Sequence, residues 1–406
     1  GITDADRQHL FERGVGKHGL PLLGYALYAV DDAHGVAVAW VANRNALVAA
    51  TLAFAALLAH DRSRRDGWRP GAWLAPALFA AALLGGEVAL SVTAYLLAHA
   101  LFIDHDSLVQ RLTCLWPYAA VSVLWLAVYK ALGYGTTGSG LYIDPAVDLV
   151  RYLGALVERL LVLLAAQIGF LPADVWMYLP KAGKVAVFGL ALATVAAVAC
   201  VLAPTLRRQP VCRFWALGAL LSLPPVCAAV PMNRLLLFTG AGAMAAIAML
   251  MAEALQRDAA VAFRGFARIV RSVVLPLLVV AHLVVAPLSL LALALSLTVG
   301  SRMLERGEES IPRSEGIRER TLVIVNAPVD LLAAYEQVRR AVLGVPRPRR
   351  LRLLATGFSA VHVSRLDATT LRVRPADGFL EHDVERTARG PSRPFHVGDE
   401  IVLSDL

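Results

Sequence analysis

The residues best suited to do chemistry in this 406-residue sequence lie between two apolar runs near its start. Asp31 and Asp32 are adjacent, His34 follows them, and Arg44 opens the next apolar run in AVDDAHGVAVAWVANRNA (29–46). Two carboxylates beside an imidazole could deprotonate a hydroxyl group or hold a divalent cation, and His34 and Arg44 could bind a phosphate. The alternative is a loop of ordinary solvated charges with an Asp–Arg pair at a membrane interface.

Two further charged residues interrupt apolar sequence. Glu87 follows two glycines and marks a tight turn, where it is either a helix-end residue or a supporting group in a site. Arg234 precedes the run LLLFTGAGAMAAIAM, so a cation stands at the positive end of a predicted helix dipole. That position favours an anionic partner, with snorkelling toward lipid headgroups as the alternative. Charges at membrane depth are costly unless paired or hydrated, which makes all of these residues candidates for function.

The composition indicates an integral membrane protein. The chain is 58% hydrophobic and 17% charged, far from the balance of a soluble domain. Its net charge is +8, and the arginines and lysines cluster in short connections between apolar runs. We interpret them as residues that orient the helices in the membrane and not as a nucleic-acid-binding surface. The four cysteines lack paired metal-ligand spacing, and the sequence has no Gly-x-Ser-x-Gly, HExxH or CxxC motif.

The apolar stretches predict an all-α polytopic bundle of about nine transmembrane helices. The candidates are 19–30, 46–60, 72–86, 88–103, 113–133, 183–204, 214–231, 235–254 and 273–298, and several are shorter than a straight crossing needs. A tenth stretch, 147–171, carries Asp148, Arg151 and Glu158 at helical spacing on one side. It is therefore expected to be an interfacial or re-entrant helix on the outer surface.

Arginine-rich connections occur at 61–70, 205–213 and 256–271. The positive-inside rule places all three on the cytoplasmic side of the membrane, which is expected to be a bacterial inner membrane. With nine crossings, the polar residues from Asp31 to Arg44, together with Glu87 and Arg234, all emerge on the opposite, outer side. The sequence therefore predicts one outer pocket in which scattered acids and bases meet.

Four regions are expected along the chain: a cytoplasmic linker at 1–18, a membrane domain at 19–299, a polar linker at 300–319 and a small extracytoplasmic domain at 320–406. In the last of these, TLVIVNA, LRLLAT, AVHVSR, TLRVRP and EIVLSDL predict strands, and DLLAAYEQVRRAVLG predicts an amphipathic helix. This domain is expected to be α/β or mostly β. Because the sequence begins with Gly1, it is expected to be a fragment of a longer protein.

Read in order, DDAHGVAVAWVANRNALVA, the turn at GGE, LWPYAAVSVLWLAVYKALGYG and NRLLLFTGAG resemble the multi-pass GT-C-type glycosyltransferases. The likeness is greatest to the O-mannosyltransferase-like membrane proteins often fused to tetratricopeptide repeats, and it covers residues 20 to 255. That family shows His-Pro-x-His before Val-x-Trp-[IV]-x-x-Arg, then a Ser-Lys-Glu turn and a Glu-Arg-x-Leu-Tyr-Leu-Pro-Ser run. The matching positions here are His34, Trp40, Arg44, Glu87 and Arg234.

The sequence also departs from that family. Asp31 and Asp32 replace His-Pro, Gly86 replaces the lysine, and LFTGAG lacks the tyrosine and proline. Members of the family carry their catalytic acid in an outer loop upstream of this motif. Either that loop lies outside the sequence, or Asp31 and Asp32 take its place.

The resemblance implies transfer of a sugar from a polyprenyl-phosphate carrier to an acceptor on the outer face of the membrane, or an inactive relative of such an enzyme. Asp31 or Asp32 would be the base or a metal ligand. His34, Arg44 and Arg234 would contact the phosphate, and Glu87 would orient one of the arginines. Membrane lipid and the lipid-linked sugar are the expected partners.

Two other functions remain open from the sequence. A transporter or flippase for a lipid-linked molecule would place the same charges along a path through the bilayer midplane, whereas an enzyme would gather them at one face. In a membrane-anchored binding module, residues 320–406 would bind a partner and the helices would serve as an anchor.

Overall fold

The computed structural model describes residues 19–135, 141–254, 266–387 and 396–400. The chain forms two compact units. The first is built from the described residues of 1–135, 144–176 and 185–295, and the second from those of 136–143, 177–184 and 296–406. The linker predicted at 1–18 and most of the basic connection predicted at 256–271 lie outside the described residues.

The described chain is mostly helical, as the sequence predicts. The α-helices are α1 (Gly19–Ala29), α2 (Gly35–Ala39), α3 (Arg44–Arg65), α4 (Gly71–Gly85), α5 (Val92–Phe102), α6 (Leu108–Thr113), α7 (Trp116–Ala131), α8 (Leu149–Ile168), α9 (Lys181–Arg208), α10 (Pro210–Leu221), α11 (Leu223–Val226), α12 (Leu237–Ala254), α13 (Phe266–Val280), α14 (Ala286–Glu309) and α15 (Asp330–Val342). Short 3₁₀ turns connect several of them: Asp32–His34, Val41–Asn43, Glu87–Ser91, Ala173–Tyr178 and Asn233–Leu235. A π-helical segment, Ala281–Val285, joins α13 to α14.

Five helices in the described residues are long and apolar enough to cross a membrane: Val41–Arg65, Leu108–Ala131, Lys181–Arg208, Leu237–Ala254 and Arg268–Glu309. Four shorter apolar helices accompany them: Gly19–Ala29, Gly71–Gly85, Glu87–Phe102 and Pro210–Val226. Every apolar stretch predicted to cross the membrane is thus at least partly helical, and a membrane protein is indicated. The number of nine crossings is not confirmed, because four of those helices are too short to count as crossings by length.

Small residues let the helices of the first unit approach closely. A β-carbon on Gly242 of α12 would lie 2.3 Å from the carbonyl oxygen of Trp215 in α10 and 2.7 Å from the Tyr95 hydroxyl in α5. The Tyr95 hydroxyl donates to the Phe238 carbonyl (2.5 Å) and accepts from the Gly242 amide (3.0 Å). These contacts fix the start of α12, which directly follows the turn that contains Arg234, against the rest of the bundle.

The amphipathic helix predicted at 147–171 is present as α8. Asp148 caps its first turn by accepting from the Arg151 amide at 3.0 Å, as an N-cap aspartate does. Arg151 and Glu158 are exposed. Arg159, in contrast, is buried and donates to the carbonyls of Cys227 and Ala228, each at 2.9 Å. This buried arginine ties α8 to the end of α11 and so positions the C-terminal end of α8 beside the candidate site.

The second unit contains four of the five strands that the sequence predicts. β1 (Thr321–Ala327) pairs in parallel with β2 (Arg350–Thr356), and α15 connects them. β3 (Val361–Arg365) pairs antiparallel with β4 (Leu371–Pro375). The α/β form of this region is therefore observed, while most of the strand predicted at 400–406 lies outside the described residues. α14 continues to Glu309, so the first half of the predicted linker is helical.

Candidate functional site

The Asp31–His34 segment forms a tight turn directly after α1. Asp31 caps it, because its Oδ1 accepts from the Ala33 amide at 3.1 Å. Its Oδ2 accepts from Nε2 of Gln167, near the end of α8, at 2.6 Å. Asp31 is only 3% exposed. A β-carbon on Gly240 of α12 would lie 3.1 Å from Oδ2 of Asp31, so a glycine there lets α12 come close to the carboxylate.

Asn233 joins this turn to two other segments. Its Nδ2 donates to Oδ2 of Asp32 at 3.1 Å, and its Oδ1 accepts from the Ala173 amide at 2.7 Å. Its own backbone amide donates to Oδ2 of Asp174 at 2.9 Å. One buried asparagine therefore holds Asp32 and Asp174 in a single group of side chains, called here the polar cluster; its members are Asp31, Asp32, His34, Gln167, Asp174, Asn233 and Arg234.

Arg234 is the cation of the polar cluster. Its guanidinium carbon lies 5.8 Å from the centre of the Trp40 ring, within range of a cation–π contact. Its Nε is buried and has no hydrogen-bond partner among the described residues. The Arg234 charge also acts on Asp174, whose pKa it lowers against the larger effect of burial. Arg234 thus retains hydrogen-bonding capacity for an anionic group.

Burial raises the pKa of each carboxyl group in the polar cluster. Burial raises the pKa of Asp31 to about 6, against the hydrogen bonds from Ala33 and Gln167 that lower it. Burial, followed by the charge of Asp31, raises the pKa of Asp32 to about 6 as well. Burial also raises the pKa of Asp174. Carboxylates with such values are suited to accept a proton at neutral pH.

His34 is a neutral group in this environment. It is buried, its ring packs edge-on against Tyr28 with ring centres 4.4 Å apart, and burial lowers its pKa to about 4. Its Nε2 has no partner among the described residues. A neutral imidazole supplies a hydrogen bond but no positive charge, so of the predicted phosphate contacts in the cluster only Arg234 is cationic.

Arg44 and Glu87 lie outside the polar cluster. Arg44 is exposed, and its Nε donates to the Val38 carbonyl at 3.4 Å. Glu87 is exposed at the start of its 3₁₀ turn and takes part in no ion pair or side-chain hydrogen bond within the described residues. That turn does come close to the start of α3, because Asn45 donates to the Gly85 carbonyl at 3.3 Å. The roles predicted for Arg44 and Glu87 stay predictions.

Among the residues that the structure describes, the predicted divalent-cation site has no direct counterpart. Across the part of the chain that the structure describes, no group of three or more His, Cys, Asp or Glu side chains has an arrangement that could hold a metal ion. Asp31 and Asp32 instead accept hydrogen bonds from Gln167 and Asn233. The neighbours of these two carboxylates are thus amide nitrogens, which donate hydrogen bonds and are not metal ligands.

An apolar cavity of about 410 Å³ borders the polar cluster. It lies between α8, α9 and α13, and its wall includes Ala166, Ile168, Ala173, Trp176, Leu190 and Leu278. Ile168 directly follows Gln167, and the Ala173 amide is the group that Asn233 accepts from. The same two backbone segments therefore bound both the cavity and the cluster, which suits a ligand with an apolar and a polar part.

Sequence reasoning missed three members of the cluster: Gln167, Asp174 and Asn233. Asn233 stands beside Arg234 in the segment MNR, where a polar pair inside apolar sequence is a visible signal. Gln167 and Asp174 carry weaker signals, since a single amide or carboxylate near a helix end is ordinary.

Replacing Asp31 by asparagine is expected to stabilise the fold at neutral pH. The folded state raises this pKa from 3.8 to about 6, so ionisation of Asp31 costs stability above pH 6, and that cost disappears as the pH falls through 6 toward 4. A rotated Gln167 amide would accept from the new Nδ2 with its free Oε1. Equilibrium unfolding in mixed micelles should show a gain of up to about 3 kcal/mol at pH 8 and less than about 1 kcal/mol at pH 4. A variant less stable than the parent at pH 8 would contradict this account.

Comparison of the chain with family models, with curated proteins and with solved structures finds no match. The resemblance to the GT-C-type glycosyltransferases therefore rests on the quoted motifs.

Proposed function

We propose that this chain is a membrane glycosyltransferase, similar to the GT-C type. It moves a sugar from a polyprenyl-phosphate carrier to an acceptor hydroxyl at the outer face of the cytoplasmic membrane. The supporting observation is that carboxylates with raised pKa and an arginine with unused hydrogen-bonding capacity lie in one cluster, and that the segments around Gln167 and Ala173 border both this cluster and an apolar cavity. These are the three groups that such a reaction needs: a base, an anion-binding cation and a surface for a lipid.

Asp32 is the proposed base. It is half-buried, so it remains accessible to an acceptor, and its side chain accepts a hydrogen bond from Asn233. Both carboxylate oxygens of Asp31 accept hydrogen bonds, one from Ala33 and one from Gln167, so Asp31 is not the proposed base. The charge of Asp31 adds to burial in raising the pKa of Asp32. In the reaction, Asp32 takes the proton of the acceptor hydroxyl, whose oxygen attacks the anomeric carbon while the bond from that carbon to the phosphate oxygen breaks.

Arg234 is the proposed contact for the departing polyprenyl phosphate. The phosphate gains negative charge as the sugar leaves it, and a guanidinium in a partly buried site stabilises that charge more than it would in water. The buried Nε of Arg234 is available for this hydrogen bond. The apolar cavity next to Ala173 would take the first isoprene units of the carrier, because its wall is formed almost wholly by aliphatic and aromatic side chains.

Close packing argues against the transporter hypothesis. Midway along α3, the Phe54 ring packs against Tyr28 and Tyr95, at 6.3 Å each between ring centres, and against Phe238 at 5.1 Å. Tyr95 and Phe238 are almost fully buried. A substrate path along α3 would have to displace these rings, whereas a transfer reaction at the Asp31–His34 end needs no such path.

The proposal is tested with the purified full chain in liposomes, supplied with a panel of radiolabelled polyprenyl-phosphate-linked sugars. We expect release of polyprenyl phosphate from at least one donor, and a 10- to 100-fold slower release by Arg234→Gln, since one charge-assisted phosphate contact is worth roughly 1.5–3 kcal/mol. Arg151→Gln, which removes an exposed arginine of α8, is the matched control and should stay within twofold. No release from any donor, or equal loss in both variants, would contradict the proposal.

A further inference from the structure

A second cavity, of about 380 Å³, lies within the second unit. It is bounded by the last turns of α14, by β1 and by the start of α15. Its wall includes the apolar residues Leu304, Ile311 and Ile324 and the polar residues Ser310, Asn326 and Glu336. Nothing in the proposed transfer reaction uses this cavity.

Glu336 is a buried carboxylate that accepts no hydrogen bond from the described residues. Its residue is 4% exposed, its Oε1 is fully buried, and no group in the described part of the chain donates a hydrogen bond to it. Two arginines lie near enough for their charges to act on Glu336, but neither donates to it. Arg340 donates to Glu308 and to two backbone carbonyls, whereas Arg339 approaches Glu305 at 3.8 Å and its buried Nε makes no hydrogen bond among the described residues. Burying a carboxylate in this way costs free energy, so a buried group left without partners calls for an explanation.

The other polar side chains of the cavity also present acceptors. The Ser310 hydroxyl hydrogen is used in a bond to the Gly307 carbonyl at 2.6 Å. The Asn326 amide group points its two hydrogens at the carbonyls of Gly357 and Ser359, each at 3.4 Å. The groups left to bind a ligand are therefore acceptors: the Ser310 hydroxyl oxygen, the Asn326 carbonyl oxygen and the Glu336 carboxylate.

We propose that this cavity is a binding site for a small molecule with a primary ammonium group, which Glu336 receives as its counter-ion. An ammonium carries three donors and no acceptor, so it complements a wall that offers acceptors. Its alkyl part would pack against Leu304, Ile311 and Ile324, as amphipathic ligands do in pockets of this size. Burial, together with the nearby charge of Glu308, raises the pKa of Glu336, and a bound cation would lower it again.

Isothermal titration of the full chain in detergent tests the proposal with butylammonium chloride as the probe. Butan-1-ol, which has the same alkyl chain without the charge, should bind at least 10-fold more weakly to the unaltered chain. Glu336→Gln keeps the shape of the side chain and should weaken butylammonium binding at least 10-fold. Glu309→Gln, which removes an exposed carboxylate at the end of α14, is the matched control and should stay within twofold.

Three results would overturn the proposal. The first is equal affinity for butylammonium and butan-1-ol in the unaltered chain, a comparison that needs no variant. The second is unchanged butylammonium affinity in Glu336→Gln. The third is absence of butylammonium binding combined with a more stable Glu336→Gln variant, which would make Glu336 a structural residue. If Glu336→Gln does not fold, Glu336→Asp keeps the charge and should retain the preference for the ammonium over the alcohol.

Discussion

Replacing Asp32 by asparagine should lower the rate of sugar transfer by about 10²–10⁴-fold, the usual contribution of a general base. Asparagine keeps the shape of the side chain and can still accept the hydrogen bond from Asn233 through its Oδ1, so the loss would report the missing base and not a disturbed fold. The rate of the unaltered chain should fall about tenfold per pH unit below pH 6, because only the ionised carboxylate accepts a proton and the pKa of Asp32 is raised to about 6.

Asp66→Asn is the control for this experiment. Asp66 is an exposed carboxylate at the end of α3, far along that helix from Arg44, and its variant should keep both the rate and the pH profile. The measurement is initial rate against pH from 5 to 8 for the three chains. Normal turnover by Asp32→Asn would remove Asp32 as the base, and a pH profile without a fall near 6 would remove both adjacent carboxylates from that role.

Replacing Asn233 by alanine should destabilise the fold by about 2–5 kcal/mol, measured by equilibrium unfolding in mixed micelles at neutral pH. The variant leaves the buried Ala173 amide without an acceptor and removes the donor to Asp32. Each unsatisfied buried group costs about 1–3 kcal/mol, and more where the group is charged. Sugar transfer should fall as well, because Asn233 holds the proposed base in place.

Asn45→Ala is the matched control, because the Asn45 amide makes an exposed hydrogen bond to the Gly85 carbonyl and its loss should cost less than about 1 kcal/mol. A second variant, Asn233→Asp, keeps the acceptor for the Ala173 amide but sets a third carboxyl group beside Asp32 and Asp174. Like charges repel, so its stability should drop more at pH 8 than at pH 5. Equal stability of Asn233→Ala and Asn45→Ala would show that Asn233 does not join the three segments.

Local patterns in the sequence were sufficient to predict most of the elements. Apolar runs predicted the helices of the first unit, and short alternating runs separated by turn residues predicted β1 to β4. These patterns work because burial repeats with the period of the element itself. The same patterns did not settle how many helices cross the membrane, since an apolar helix of Gly19–Ala29 or Gly71–Gly85 has the composition of a span without its length.

The candidate site also has one part that the sequence predicted and another that it did not. Asp31, Asp32 and His34 are neighbours in the chain, so the sequence alone identified them together as candidates. Gln167 lies 136 residues from Asp31, and Asn233 lies 201 residues from Asp32. Their contacts exist because the end of α8 and the turn before α12 pack against the turn after α1, which no local pattern in the sequence predicts. Only the tertiary structure decided that Arg234 joins the acids while Arg44 does not, because a side chain's partners depend on which distant segments fold against it.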